Sequence, residues 1–100
     1  MAERSSGRNG SRRDGLSGRE VIERVRRELP TLMGRPIESV LGLERSEDNG
    51  WSVTVQIVEL ARIPHSTDVL GAYAVTVDHD GELVGWRRRR RYHRNQADED

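Results

Sequence analysis

The chain contains no cysteine and no lysine among its 100 residues. Without cysteine there can be no disulfide, no thiolate metal site and no cysteine nucleophile, which fits a reducing compartment. Without lysine, all 17 basic residues are arginine. A GC-rich genome produces that bias by itself. Selection would produce it too, because a guanidinium makes bidentate contacts to carboxylates and phosphates that an ammonium group makes less well. Long apolar runs are also missing: nothing approaches the roughly 20 residues of a membrane span. Residues Met1 to Arg8 lack the apolar stretch of a secretory signal. The expectation is a soluble, cytoplasmic protein without a membrane span. Hydrophobic residues make up 33% and charged residues 34%, enough for one domain with a modest core.

The formal charge of zero conceals segregation. Residues 1–36 carry nine arginines against five acids, and residues 37–84 carry two against nine. Residues 87–94 then bring six arginines and no acid, before Asp98, Glu99 and Asp100.

Order is expected to begin at Ser17. Residues 1–16, built around Ser, Gly, Arg and Asn, bury too little to offset their ordering entropy and read as a disordered tail. Ser17 and Glu20 have capping-box spacing. Val21, Ile22, Val25 and Leu29 follow at helical spacing, and Pro30 disfavours continuation, so a helix of about three turns is expected. Beyond it the period becomes two. Val40–Arg45 is a weak strand, ended by the turn signal Ser46–Gly50. In Trp51–Leu60 the alternation slips at Ile57–Val58, which a β-bulge or burial on both faces would explain. Val69–Val77 and Leu83–Tyr92 complete the set around Asp78–Gly81, and residues 95–100 read as an acidic tail. The expected fold class is α+β: two layers, with one N-terminal amphipathic helix packed on a four-stranded antiparallel meander sheet formed by residues 17–94.

Alternation also assigns faces. With either a four-residue or a two-residue loop in the last hairpin, Tyr73, Val75 and Val77 share a face with Val84 and Trp86, and this face should meet the helix. The other face carries Leu70, Ala72, Ala74, Thr76, Leu83 and Gly85, then Arg87, Arg89 and Arg91. It is small and partly apolar, ends in cations, and is the candidate partner-binding surface through Arg87, Arg89, Arg91, Leu70, Ala72 and Ala74. A solvated strand end paired with the chain's own acids is the plainer reading of the arginine run. RNA is a further reading, with Trp86 and Tyr92 expected beside Arg88 and Arg90 as stacking platforms. The acidic middle segment, the zero net charge and the lack of a standard RNA-binding motif argue against nucleic acid.

No catalytic constellation is legible. His65, His79 and His93 lie in or beside turns and ends, with no pair at ligand spacing. Asp78 and Asp80 before Gly81 look like a fragment of a calcium loop but lack its later acidic ligand, so a hairpin turn is the better reading. Gly7, Gly10 and Gly15 lie in the tail and form no phosphate loop, and Trp51 and Trp86 read as core. Neither a cofactor nor a metal is expected, and the chain does not read as an enzyme.

Three segments in order carry a family resemblance. Gly50–Leu60 followed by Arg62-Ile63-Pro64, then Asp68-Val69-Leu70-Gly71-Ala72-Tyr73, then Asp80–Arg88 running to Arg91-Tyr92, together resemble the gas vesicle protein O family over about residues 17–94. Gly71 stands where that family usually has Ala, and the arginine run lacks the apolar residue that often breaks it. The resemblance implies a non-enzymatic accessory protein of gas vesicle formation, an assembly adaptor or chaperone-like factor. Its partners would be other gas vesicle accessory proteins and the small shell protein, and it could associate with the vesicles. An RNA-binding regulator of gas vesicle genes is the alternative.

Overall fold

The structure is a computed structural model that describes residues 16–97. The expected tails fall outside the described residues, apart from Leu16, which packs against the core, and residues 95–97. Helix α1 (Gly18–Met33) is followed by strands β1 (Ile37–Arg45), β2 (Trp51–Leu60), β3 (Val69–Val77) and β4 (Leu83–His93), with a 3-10 turn at His65–Thr67 and a short helix α2 (Arg94–Ala97). The strands form one antiparallel sheet in the order β1-β2-β3-β4. The meander and the helix on it are those expected.

The capping box closes the start of α1: Ser17 N–H donates to Glu20 Oε1 at 2.8 Å, and Glu20 N–H donates to Ser17 Oγ at 3.2 Å. Val21, Val25 and Leu29 line one stripe of the helix and are fully buried against Val53, Val55, Ile57, Val75 and Val77 of the sheet. The helix does not stop before Pro30; it runs through it to Met33 and closes at Gly34, whose N–H donates to Pro30 O at 2.8 Å. Proline removes one bond to the carbonyl of Arg26. Arg26 is exposed, so water can take that bond, while Met33 adds a core contact in the extra turn.

β1 begins three residues earlier than expected. Ile37, Val40 and Leu43 all pack against the core, but Glu38 and Leu41 are extra residues in the pairing with β2. These irregularities break the alternation that would have marked the strand. In β2 the slip is a bulge, placed at Glu59 between Val58 and Leu60.

The last hairpin departs from both expected loops. Asp78 N–H donates to Glu82 O, leaving a three-residue loop that turns at Gly81 with φ 89°. A glycine in this position is what a three-residue hairpin loop calls for. Asp78 Oδ1 accepts from Asp80 N–H and Glu82 N–H, both at 2.9 Å, which commits this carboxylate to the turn. The odd loop puts Leu83 opposite Val77 and onto the core, and a bulge at Val84 then restores the phase so that Trp86 faces Val75. Val84, expected inside, is 63% exposed.

Leu29 fills the centre of the helix–sheet contact, and truncating it leaves a cavity. Leu29→Ala is therefore expected to cost about 2–5 kcal/mol, read from urea denaturation, whereas Leu32→Ala on the exposed face should cost little.

Candidate functional site

Among the described residues, β4 pairs with β3 alone and is an edge strand. Its five consecutive arginines are all exposed, but they do not alternate through the run. Tyr73 pairs with Arg88 and Ala72 with Arg90, so Arg89 is an inserted residue. On the helix-bearing face, Tyr73 and Gly71 therefore stand beside Arg88 and Arg91; on the opposite face, Ala74, Ala72 and Leu70 stand beside Arg87, Arg90 and Tyr92. The expected row Arg87/Arg89/Arg91 is not formed. Arg87 keeps its place, Arg89 sits in the bulge, and Arg91 crosses to the helix side. Likewise Tyr92 and Arg90 share the opposite face, with the Arg90 guanidinium 4.7 Å from the ring centroid, while Trp86 and Arg88 are on the helix side.

The helix-side arginines converge on one carboxylate. Glu59, the bulged residue of β2, accepts from Tyr73 Oη–H at 2.6 Å and Arg88 Nε–H at 3.0 Å, and Arg91 Nε lies 3.1 Å from its other oxygen. Its side chain is 7% exposed. Burial alone would raise its pKa, but the Tyr73 hydroxyl and the two guanidiniums hold it below the ordinary value. The same arrangement, with burial as the leading cause, pushes the Tyr73 phenol up. Gly71 makes this possible, because a β-carbon there would collide with the Glu59 carboxylate and the Tyr73 ring. Arg35 completes the corner, donating to the carbonyls of Val58 and Glu59 at 3.3 and 2.8 Å.

A second polar chain crosses the opposite face. Tyr92 Oη–H donates to Gln56 Oε1, and Gln56 Nε2–H donates to Glu38 Oε2 at 3.0 Å. Arg94 grips Glu38 with two bonds of 2.6 Å and reaches Asp68 Oδ2 at 3.1 Å. Asp68, whose side chain is 3% exposed, also accepts from Arg62 N–H at 2.8 Å and lies 3.0 Å from His65 Nδ1. Because β3 lies between β2 and β4, the Tyr92–Gln56 bond arches over it. That explains why Leu70 and Ala72 are only 0% and 4% exposed on a face that no long helix of the described residues covers, with Ala74 at 9%. The three apolar residues expected to meet a partner offer it little surface. What the face does present is a shallow depression of about 290 Å³ lined by Ala74, Thr76, Val84, Gly85, Trp86 and Arg87.

Sequence reasoning missed Glu38, Gln56, Glu59, Asp68 and Arg94. One signal was available: Asp68 is a lone acid at the head of the most apolar strand, where a charge must be paired. Among the described residues, no group of three or more His, Asp or Glu could hold a metal, and no helix is long and apolar enough to cross a membrane.

These carboxylates make acid stability predictable. Hydrogen bonding holds Glu38 (chiefly by Arg94) and Asp68 (chiefly by the Arg62 amide) below the ordinary carboxylate range, and Glu59 is lowered as well. A folded-state pKa below the unfolded value adds stability above the unfolded value, near pH 4, which is lost as pH falls through the folded one. The urea midpoint should therefore fall as pH is lowered from about 5 toward 2. The double variant Glu38→Gln/Asp68→Asn should be less stable at pH 7 and show a shallower fall.

Comparison with known proteins bears on what this surface serves. The family model described as "Gas vesicle synthesis protein GvpO" matches residues 3–98. The chain is 46% identical over 71 residues to gas vesicle protein O of Streptomyces sp. (strain CB03234), covering 71% of this chain and 55% of that protein. It is 30% identical over 86 residues to gas vesicle protein O of Haloferax mediterranei, covering 86% of this chain and 60% of that protein. To gas vesicle protein O1 of Halobacterium salinarum it is 31% identical over 77 residues, covering 77% and 64%. The matched region thus spans less than two thirds of the length of each of these relatives. No solved structure matches the chain.

Proposed function

The chain belongs to the gas vesicle synthesis protein GvpO family, and on that premise we propose that it is a non-enzymatic assembly factor that binds other gas vesicle proteins through β4. The family is described by a role in gas vesicle synthesis, not by a reaction. The observation that carries the reading is an exposed edge strand whose cations are incompletely neutralised among the described residues. Arg88 and Arg91 share the single charge of Glu59, and Arg87 and Arg89 have no ion pair among the described residues. Charged groups of this kind on an edge also discourage self-pairing of sheets. A partner with complementary acids would be steered to them and held in register. Val84, 63% exposed and lining the depression beside Arg87, adds apolar area at the same place. The partners are other accessory proteins of vesicle formation and the small shell protein.

The RNA reading is less well supported by the same residues. Alternation and the bulge at Arg89 divide the cations between two faces, so neither presents a continuous track for phosphates. Tyr92 has its hydroxyl committed to Gln56 and its ring under Arg90, which leaves it a poor stacking platform.

Co-expression with the gas vesicle proteins and affinity capture tests the assignment. Arg87→Glu/Arg89→Glu should leave the circular dichroism spectrum unchanged and lower capture by roughly tenfold, the equivalent of about 1.4 kcal/mol. Undiminished capture by the folded variant would contradict the use of this strand. Retention of a short RNA at moderate salt, with no protein captured, would favour the regulator.

A further inference from the structure

Two guanidiniums three residues apart stand side by side on the helix-bearing face only because Arg89 is inserted between them. Both contact Glu59 through Nε, the inner edge of the guanidinium. Their side chains nevertheless remain 46% and 56% exposed, while Glu59 is 7% exposed. The buried carboxylate thus works as a post that fixes both arginines. Arg88 is steadied by the Tyr73 hydroxyl as well, and the exposed part of each guanidinium remains open to solvent. Arg35, fixed on the carbonyls of Val58 and Glu59, adds a third cation at the same corner. Three cations against one carboxylate leave this corner net positive.

We propose that Arg88 and Arg91, aligned by Glu59, form a clamp for a carboxylate side chain of an acidic partner segment. The clamp lies on the side of the sheet opposite Arg87. The inference deepens the assembly-factor reading, since it rests on a protein partner and assigns that partner's chemistry. A planar guanidinium fork matches a carboxylate with two parallel hydrogen bonds, and prior alignment by Glu59 lowers the entropy lost on binding. Charge complementarity argues for an acidic peptide over a nucleic acid. The cations are gathered at one corner around Glu59, which suits a single carboxylate and gives no track along the strand for a run of phosphates. Trp86, on the same face and 39% exposed, offers an apolar neighbour for the rest of the segment.

The test titrates the full-length protein at low salt with a hexaglutamate peptide, followed by NMR shifts of the arginine Nε–H groups. Hexaglutamine and a short single-stranded RNA serve as controls. Binding of hexaglutamate alone, with the largest shifts at Arg88 and Arg91, is expected. Arg88→Gln/Arg91→Gln removes the clamp but leaves Glu59 unpaired. Arg88→Lys/Arg91→Lys is therefore measured beside it, because lysine keeps the ion pair with Glu59 and loses the fork. Both variants should bind hexaglutamate at least tenfold more weakly, and Arg26→Gln/Arg27→Gln, exposed on α1, should bind it as the wild type does. Equal loss in all three variants, unchanged binding in the lysine variant, or tighter binding of the RNA would overturn the clamp. None of these results depends on capture of gas vesicle proteins, so the clamp and the assembly-factor reading can fail separately.

Discussion

Side chains on a strand alternate, so one inserted residue decides which face every later side chain reaches. Two such insertions flank the buried central strand β3: Glu59 in β2 and Arg89 in β4. Glu59 lies two residues beyond Ile57 and so stays on the helix-bearing face, where its carboxylate meets Tyr73 and Gly71. The insertion of Arg89 brings Arg88 and Arg91 onto the same side to meet it. Without the insertion at Arg89, alternation from Arg88 would carry Arg91 to the opposite face, and the buried Glu59 would lose one of its two guanidinium partners. The distribution of charge over β4, and hence what the strand can bind, follows from where Arg89 is inserted.

On the other face, the chain Tyr92–Gln56–Glu38–Arg94–Asp68 ties β4, β2, β1, α2 and the loop before β3 together. Each link satisfies a group that would otherwise be costly to shield from water. The result is a sheet with no long helix on this face whose central apolar residues are nonetheless covered, by a polar strap only one side chain thick. Two acids of the strap, Glu38 and Asp68, belong to the acidic middle of the sequence and their cation to the basic end. Among the described residues, the plainer reading of the arginine run, a strand end neutralised by the chain's own acids, therefore holds for Arg94, Arg88 and Arg91 and not for Arg87 or Arg89.

The elements were legible where local chemistry is strong. Ser17 and Glu20 mark the start of α1, Trp51 to Ile57 alternate cleanly, and the glycine turns delimit the strands. Pro30 misled because a proline signal reports the missing donor and not the exposure of the carbonyl that loses it. The face of each arginine was not legible. It depends on parity accumulated through a three-residue loop and the bulges at Val84 and Arg89, and the run Arg87–Arg91 gives no sign of where a residue is inserted. Glu59 and Gln56 look like ordinary polar positions of an alternating strand, since their partners lie on other strands. Family membership was legible because it rests on ordered segments and not on register. That the chain serves as an assembly factor through β4 remains a proposal built on that membership and on exposed, incompletely neutralised charge.

The partition of the arginines between the two faces is what both binding proposals share, and cross-strand nuclear Overhauser effects between β3 and β4 report it directly. The account predicts contacts of Tyr73 with Arg88, Ala72 with Arg90 and Gly71 with Arg91. Contacts of Ala72 with Arg89 and of Leu70 with Arg91, the uninterrupted register, would place Arg87, Arg89 and Arg91 on one face and contradict it.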